Sequence, residues 1–160
     1  MKKLPLLLFL LLIIPSIYAQ TLTISPGWSV TIPASTITEA GLNYTTTTTT
    51  SAASQSLIDI TTGSQNINVF VYVQKTDVSW DSSLNLWVRR SGTGAGAGNS
   101  TITNGTTFQQ VTNSPTSFFT VFMGKSKTYS NVPLQYQISG LSVLIPAKTY
   151  TTTLLFTITY

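Results

Sequence analysis

Cysteine and histidine are both absent from this 160-residue chain. Their absence excludes disulfides, thiolate and imidazole metal sites, Ser-His-Asp triads, cysteine nucleophiles and histidine general bases. Charge is almost as scarce, with eight Lys and Arg and four Asp and Glu making up 8% of the residues. The basic residues form no cluster larger than the pairs Lys2-Lys3 and Arg89-Arg90, so the electrostatic footprint of a nucleic-acid binder is missing. Past the first twenty residues no stretch repeats its apolar side chains at helical spacing. What fills the chain instead is Thr, Ser, Asn and Gln, the surface composition of exposed structural and adhesive proteins. No enzyme activity and no cofactor are expected from this inventory.

The N-terminus opens on Met1-Lys2-Lys3, runs through apolar Leu4 to Ile14 with only Pro5 interrupting, and reaches Tyr18-Ala19 after Pro15 and Ser16. A positive start, an apolar middle and a small residue at the end are the three parts of a secretory signal peptide. The apolar run is about half the roughly 20 residues that cross a bilayer, which favours a cleaved signal over residues 1–19 against an uncleaved anchor. The chain then meets a membrane only during export, and its destination is secreted or cell-surface, extracellular or periplasmic. The mature residues 20–160 suffice for one domain with its own core. Their six basic residues (Lys75, Arg89, Arg90, Lys125, Lys127, Lys148) against four acids (Glu39, Asp59, Asp77, Asp81) leave a charge of +2. A domain of this size stands without disulfides even in an oxidising compartment.

Period-2 alternation marks the strands. In the closing stretch Asn131 to Tyr160, the residues Tyr150, Leu154, Phe156, Ile158 and Tyr160 share one parity, and Thr151, Thr153, Thr157 and Thr159 hold the other. Leu134, Tyr136 and Ile138 alternate with Gln135 and Gln137; Ser139-Gly140 breaks the run before a short strand through Leu141, Val143 and Ile145. Asn66 to Gln74 has Ile67, Val69, Val71 and Val73 on one face and Phe70 and Tyr72 on the other, so it reads as a central strand covered on both sides. Ser56 to Thr62, Ser83 to Arg90, Thr107 to Val111 and Ser117 to Phe122 are further strands. The threonine run Thr45 to Thr50 has nothing apolar to bury and reads as an exposed edge or loop. Ser91 to Ser100, with four glycines in ten residues and no helix after it, reads as a flexible loop and not a phosphate cradle. The expected fold is all-β: an immunoglobulin-like or Greek-key β-sandwich of about seven to nine strands, with a barrel as the alternative.

Few residues suggest a site. Asp77 and Asp81 flank Ser79-Trp80, a pair that suits glycoside hydrolysis, a weak Ca²⁺ site or, as the plainer reading, loop caps. Trp28, Trp80 and Trp87 offer flat contact surfaces for a glycan or a protein, with Arg89 beside Trp87. Arg89 and Arg90 must point to opposite faces of their strand. Asn43, Asn99 and Asn104 each begin an N-glycosylation acceptor triplet. Leu22, Ile24, Trp28, Val30 and Ile32, in residues 20–33, form an apolar row on one parity at the free end of the mature chain. Such a row can pair in its own subunit or complete a neighbour's sheet by strand exchange, with an acceptor beside Leu154, Phe156 and Ile158.

The closing SGLSVLIPAKTYTTTLLFTITY resembles the ending of fimbrial-subunit and spore coat protein U-like domains, where a Pro, a small residue and a Tyr precede an alternating terminal strand. The pieces EAGLNYTTTTTTSAASQSLIDIT, LWVRR, SFF and NVPLQYQISG are similar to small exported prokaryotic β-sandwich proteins of unassigned function. Lys148 stands where the fimbrial family tends to have Gly, and the pilin cysteine pair is absent. The resemblance implies an immunoglobulin-like surface domain that polymerises. The function expected is therefore a non-enzymatic structural subunit, fimbria- or pilus-like or a surface-layer component, with self-association or another surface protein as its partner. The alternative is a monomeric adhesin-like module for glycan or protein. Intact-mass analysis of the exported protein should give a chain beginning at Gln20, within a residue or two; full-length chain accumulating in the cytoplasm contradicts the signal reading.

Overall fold

Alternation gives each long segment an apolar face, and burying these faces against each other produces two stacked antiparallel sheets. The computed structural model describes residues 20–33, 43–44, 46–125 and 127–160. The proposed signal over residues 1–19 and the connecting segment 34–42 lie outside the described residues. Eleven strands run in chain order: β1 (Thr21–Ser25), β2 (Thr48–Thr50), β3 (Ser56–Thr61), β4 (Asn68–Ser79), β5 (Asn85–Arg90), β6 (Ala95–Gly96), β7 (Thr101–Thr103), β8 (Gln109–Gln110), β9 (Thr116–Phe122), β10 (Thr128–Ser139) and β11 (Thr151–Thr159). Four of them are only two or three residues long, which is why the count exceeds the seven to nine read from the sequence.

The first sheet has the order β1-β3-β10-β5-β8, with β2 and β6 also paired to β10; the second has the order β11-β4-β9-β7. β10 is the axis of the first sheet. One of its edges pairs with β3 and β2, the other with β6 and β5. A bulge between Tyr129 and Val132 places Asn131 at φ 57°, and the Asp59 carboxylate accepts a hydrogen bond from its backbone N–H at 2.7 Å. β4 is the axis of the second sheet, between β11 and β9.

The core is filled from both sheets. Ile58, Ile60, Val88, Val132 and Leu134 of the first meet Val69, Val71, Val73, Phe119 and Val121 of the second. Phe118 packs edge-on against Phe119 at 5.1 Å between ring centroids and lies 6.2 Å from Phe156. Arg90 is buried at the margin of this core, where its Nε donates to the Asn104 carbonyl and its Nη1 to the Gly92 carbonyl at 3.0 Å. Arg89 points to the outside, as a strand requires of neighbours.

Three expectations need correction. Leu141 to Ile145 is not a strand: Gly140, at φ 87°, ends β10, and the chain turns, with Ile145 N–H donating to the Ser142 carbonyl. A side chain at Gly140 would strike the Ser83 carbonyl oxygen, so only glycine permits this exit. The glycine-rich stretch is not simply a loop, because Ala95–Gly96 pairs with Tyr129 and Ser130, and the absent Gly96 side chain leaves room for the Tyr129 ring. Thr107 to Val111 shortens to the two-residue β8. The threonine run contributes β2 at its end, on the first sheet beside Gln137 to Ser139.

Phe119 is fully buried while Leu144, in the turn after β10, is 89% exposed. Phe119→Ala should therefore lower the unfolding free energy by about 3–5 kcal/mol, and Leu144→Ser should change it by less than about 0.5 kcal/mol. Denaturant titration measures both.

Candidate functional site

β11 forms as a strand because β-branched Thr and Ile with Phe, residues that favour extended backbone, make up most of it. Thr152, Leu154, Phe156 and Ile158 face the core, and Phe156 is buried. Its register with β4 runs unbroken from Thr152 opposite Asp77 to Thr159 opposite Phe70. Among the described residues no strand pairs with its other edge. That free edge holds no charged residue, no proline and no glycine over nine residues, so it lacks the side chains that usually protect an edge from a second strand; a register shift against β4 falls at its Thr151 end. β1, the free edge of the first sheet, approaches it at the same side of the sandwich.

The outward face of the second sheet is uncharged as well. Phe70, Tyr72 and Gln74 of β4 lie between Thr120 and Phe122 of β9 and Leu155, Thr157 and Thr159 of β11. Phe70 is 40% exposed and Leu155 46%. This corrects the reading of Asn66 to Gln74 as a strand covered on both sides, since the apolar residues on its second face meet solvent.

The N-terminal row divides. Leu22 and Ile24 lie in β1, opposite Ile60 and Ile58 of β3 in the same chain, so this segment takes the first-strand position of its own sandwich. Trp28, Val30 and Ile32 are not a continuation of that strand: β1 stops at Ser25 before Pro26, and Trp28 stacks on Tyr136 at 6.2 Å with the rings 14° apart. Ser56 Oγ donates to the Pro26 carbonyl and Gln55 Nε2 to the Gly27 carbonyl, tying the segment to the start of β3. β1 therefore occupies the edge of β3 and leaves the edge of β11, beside Leu154, Phe156 and Ile158, unpaired among the described residues.

The tryptophans do not form one surface. Trp87 lies on the outer face of the first sheet, its Nε1 donating to Ser139 Oγ at 2.9 Å. Arg89 donates to the Gln135 side-chain oxygen at 2.9 Å and lies over the Phe108 ring at 4.6 Å. Trp80 lines an open groove of about 300 Å³ with Lys75, Asp77, Asn85, Gln110 and Asn113. The groove's other wall, around Val111 to Asn113, is held in place by backbone bonds from Val111 to Leu86 and from Lys75 to Thr112. Asn85, Gln110 and Asn113 carried no signal in the sequence, because Asn85 and the segment Gln110 to Asn113 meet only in the folded chain.

Asp77 and Asp81 have separate roles. The Lys75 ammonium donates to both Asp77 oxygens at 2.6 and 2.5 Å, Thr152 Oγ1 donates at 2.9 Å and Asn113 Nδ2 at 3.4 Å. Partial desolvation pushes the Asp77 carboxyl up, but the bonds from Lys75, Thr152 and Asn113 outweigh it, and the net shift is below the ordinary aspartate value. Asp81 is a loop cap: the hydroxyl and then the N–H of Ser83 donate to it and lower its pKa. Among the described residues no three acidic side chains gather as a metal site.

Because the Asp77 pKa is lowered on folding, its contribution to stability is present above the ordinary aspartate range and is lost as pH falls through the folded value. Asp77→Asn should shallow the acid limb of melting temperature against pH below about pH 4. At neutral pH it should cost less than about 1 kcal/mol, the size of a solvent-accessible pair.

A scan of protein-family models, a search of curated proteins and a search of solved structures each find no match for this chain. The likeness of its last strand to fimbrial and spore coat domains gains no support from them.

Proposed function

We propose that this protein is an exported, non-enzymatic structural subunit, fimbria-like or part of a surface layer, that works by associating with copies of itself. The observation that carries this reading is the unprotected edge of β11, nine uncharged residues long with one side unpaired among the described residues. An edge of this kind offers a row of N–H and C=O groups to another strand, and natural monomers usually interrupt it with charge, proline or a bulge. The Thr-rich outer face and small net charge support the reading, since they put up little repulsion between copies. Strand exchange stays compatible with it: a neighbour's Thr21–Ser25 could make the same ladder with β3 that β1 makes within the chain.

The groove beside Trp80 favours a second reading, a monomeric module for a neutral glycan. An indole face with side-chain amides around it suits a sugar ring, and the Lys75–Asp77 pair leaves little net charge there. One experiment separates the two. Sedimentation velocity over a concentration series should show reversible assemblies, and a glycan array should show no signal that Trp80→Ala removes. A monomer at every concentration, with a glycan signal abolished by Trp80→Ala, puts the second reading in place of the first.

A further inference from the structure

β11 joins two copies only in registers that respect the sheet. In an antiparallel pair, residues directly opposite one another point to the same face. A two-fold axis perpendicular to the second sheet must therefore pass through a residue position and not between two. With nine residues from Thr151 to Thr159, all nine are paired only when that position is the fifth, Leu155.

The residues suit this register. The outward positions of β11 read Thr151, Thr153, Leu155, Thr157, Thr159, the same in both directions about Leu155. Each would meet its like: Leu155 with Leu155, Thr153 with Thr157, Thr151 with Thr159. On the inner side Leu154 would meet Phe156, and Thr152 would meet Ile158. A two-fold contact sets each surface against its own copy, and a row that reads the same in both directions meets that condition with no unlike pair on the outward side. Leu155 itself is 46% exposed opposite Gln74, so the one apolar residue of the outward row does little inside its own subunit. The register shift between Thr151 and Thr152 touches only the end of the strand.

We infer that a second copy of this chain is the partner of the β11 edge, paired antiparallel about a two-fold axis through Leu155 to give one continuous sheet of eight strands. The inference rests on the self-association reading above and adds its site and register. The same axis turns the neighbouring β1 edges of the two copies toward each other, each with Ile24 exposed. The absence of charge along β11 fits a copy of itself better than a charged partner, because no steering group is offered.

The chain has no cysteine, so a single introduced thiol reports the register without background. Leu155→Cys should form a covalent dimer under mild oxidation, its two Cβ atoms lying within disulfide reach across the axis, whereas Thr159→Cys, opposite Thr151, should not. Leu155→Lys and Leu155→Glu, each purified alone, should halve the apparent mass of the wild-type dimer in sedimentation, and an equal mixture should restore it. The circular dichroism spectra of the charged variants should match the wild type, while their melting temperature should lose any dependence on protein concentration; if the spectra differ, Thr153→Lys with Thr157→Lys opposes like charges at other positions. A wild-type oligomer that survives all the charged variants, or that crosslinks at Thr159→Cys as readily as at Leu155→Cys, overturns the register and leaves self-association standing. A wild type that is monomeric at every concentration overturns both.

Discussion

Backbone hydrogen bonding on both sides of each strand is the constraint on which the rest of this structure depends. β10 meets it in full, with β3 and β2 along one edge and β6 and β5 along the other. The elements arranged around it are consequences: the bulge at Asn131 that Asp59 stabilises, the glycine at 96 that lets Tyr129 pack, and the glycine at 140 that lets the chain leave. β11 is the opposite case. Its inner face is anchored by Phe156, one edge is paired to β4 over its length, and the other is offered outward.

The shortage of charge shapes the surface in the same direction. Threonine favours extended backbone and can stand in water, so the outer faces keep strand geometry without Lys or Glu. The cost is that no charge of its own guards the long edge of β11. The charges that do occur are used locally: Arg90 on loop carbonyls at the core margin, Asp59 on the β10 bulge, Lys75 on Asp77 and Asp81 on its own turn. The Lys75–Asp77 pair lines the groove beside Trp80, and there the two charges neutralise each other.

Much of the strand content was legible, because a buried face imposes a period of two on any strand that supplies it. Val69, Val71 and Val73 share one face in the sequence, as do Leu154 and Phe156, and these faces are buried or packed on the core. The misreadings fall where periodicity has no power. Leu141, Val143 and Ile145 alternate, but among the described residues no strand forms a ladder with them, and alternation without a partner is not a strand. Phe70 and Tyr72 looked buried because they are apolar, yet no described segment covers them. Asn85, Gln110 and Asn113 showed no pattern at all, since a groove built from separate segments leaves no spacing to read.

By itself the sequence determined the class of structure and the limits of its chemistry: period-2 alternation commits the chain to strands, and a chain without His or Cys cannot assemble the sites those residues make. Only the tertiary structure decided which strands are central and which are edges. That follows from non-local pairing, since Thr21 finds Thr61 and Leu134 finds Arg90 across long loops whose closure no local pattern encodes. It decided in particular that β1 pairs with β3 and not with β11, which leaves β11 as an edge of the second sheet among the described residues.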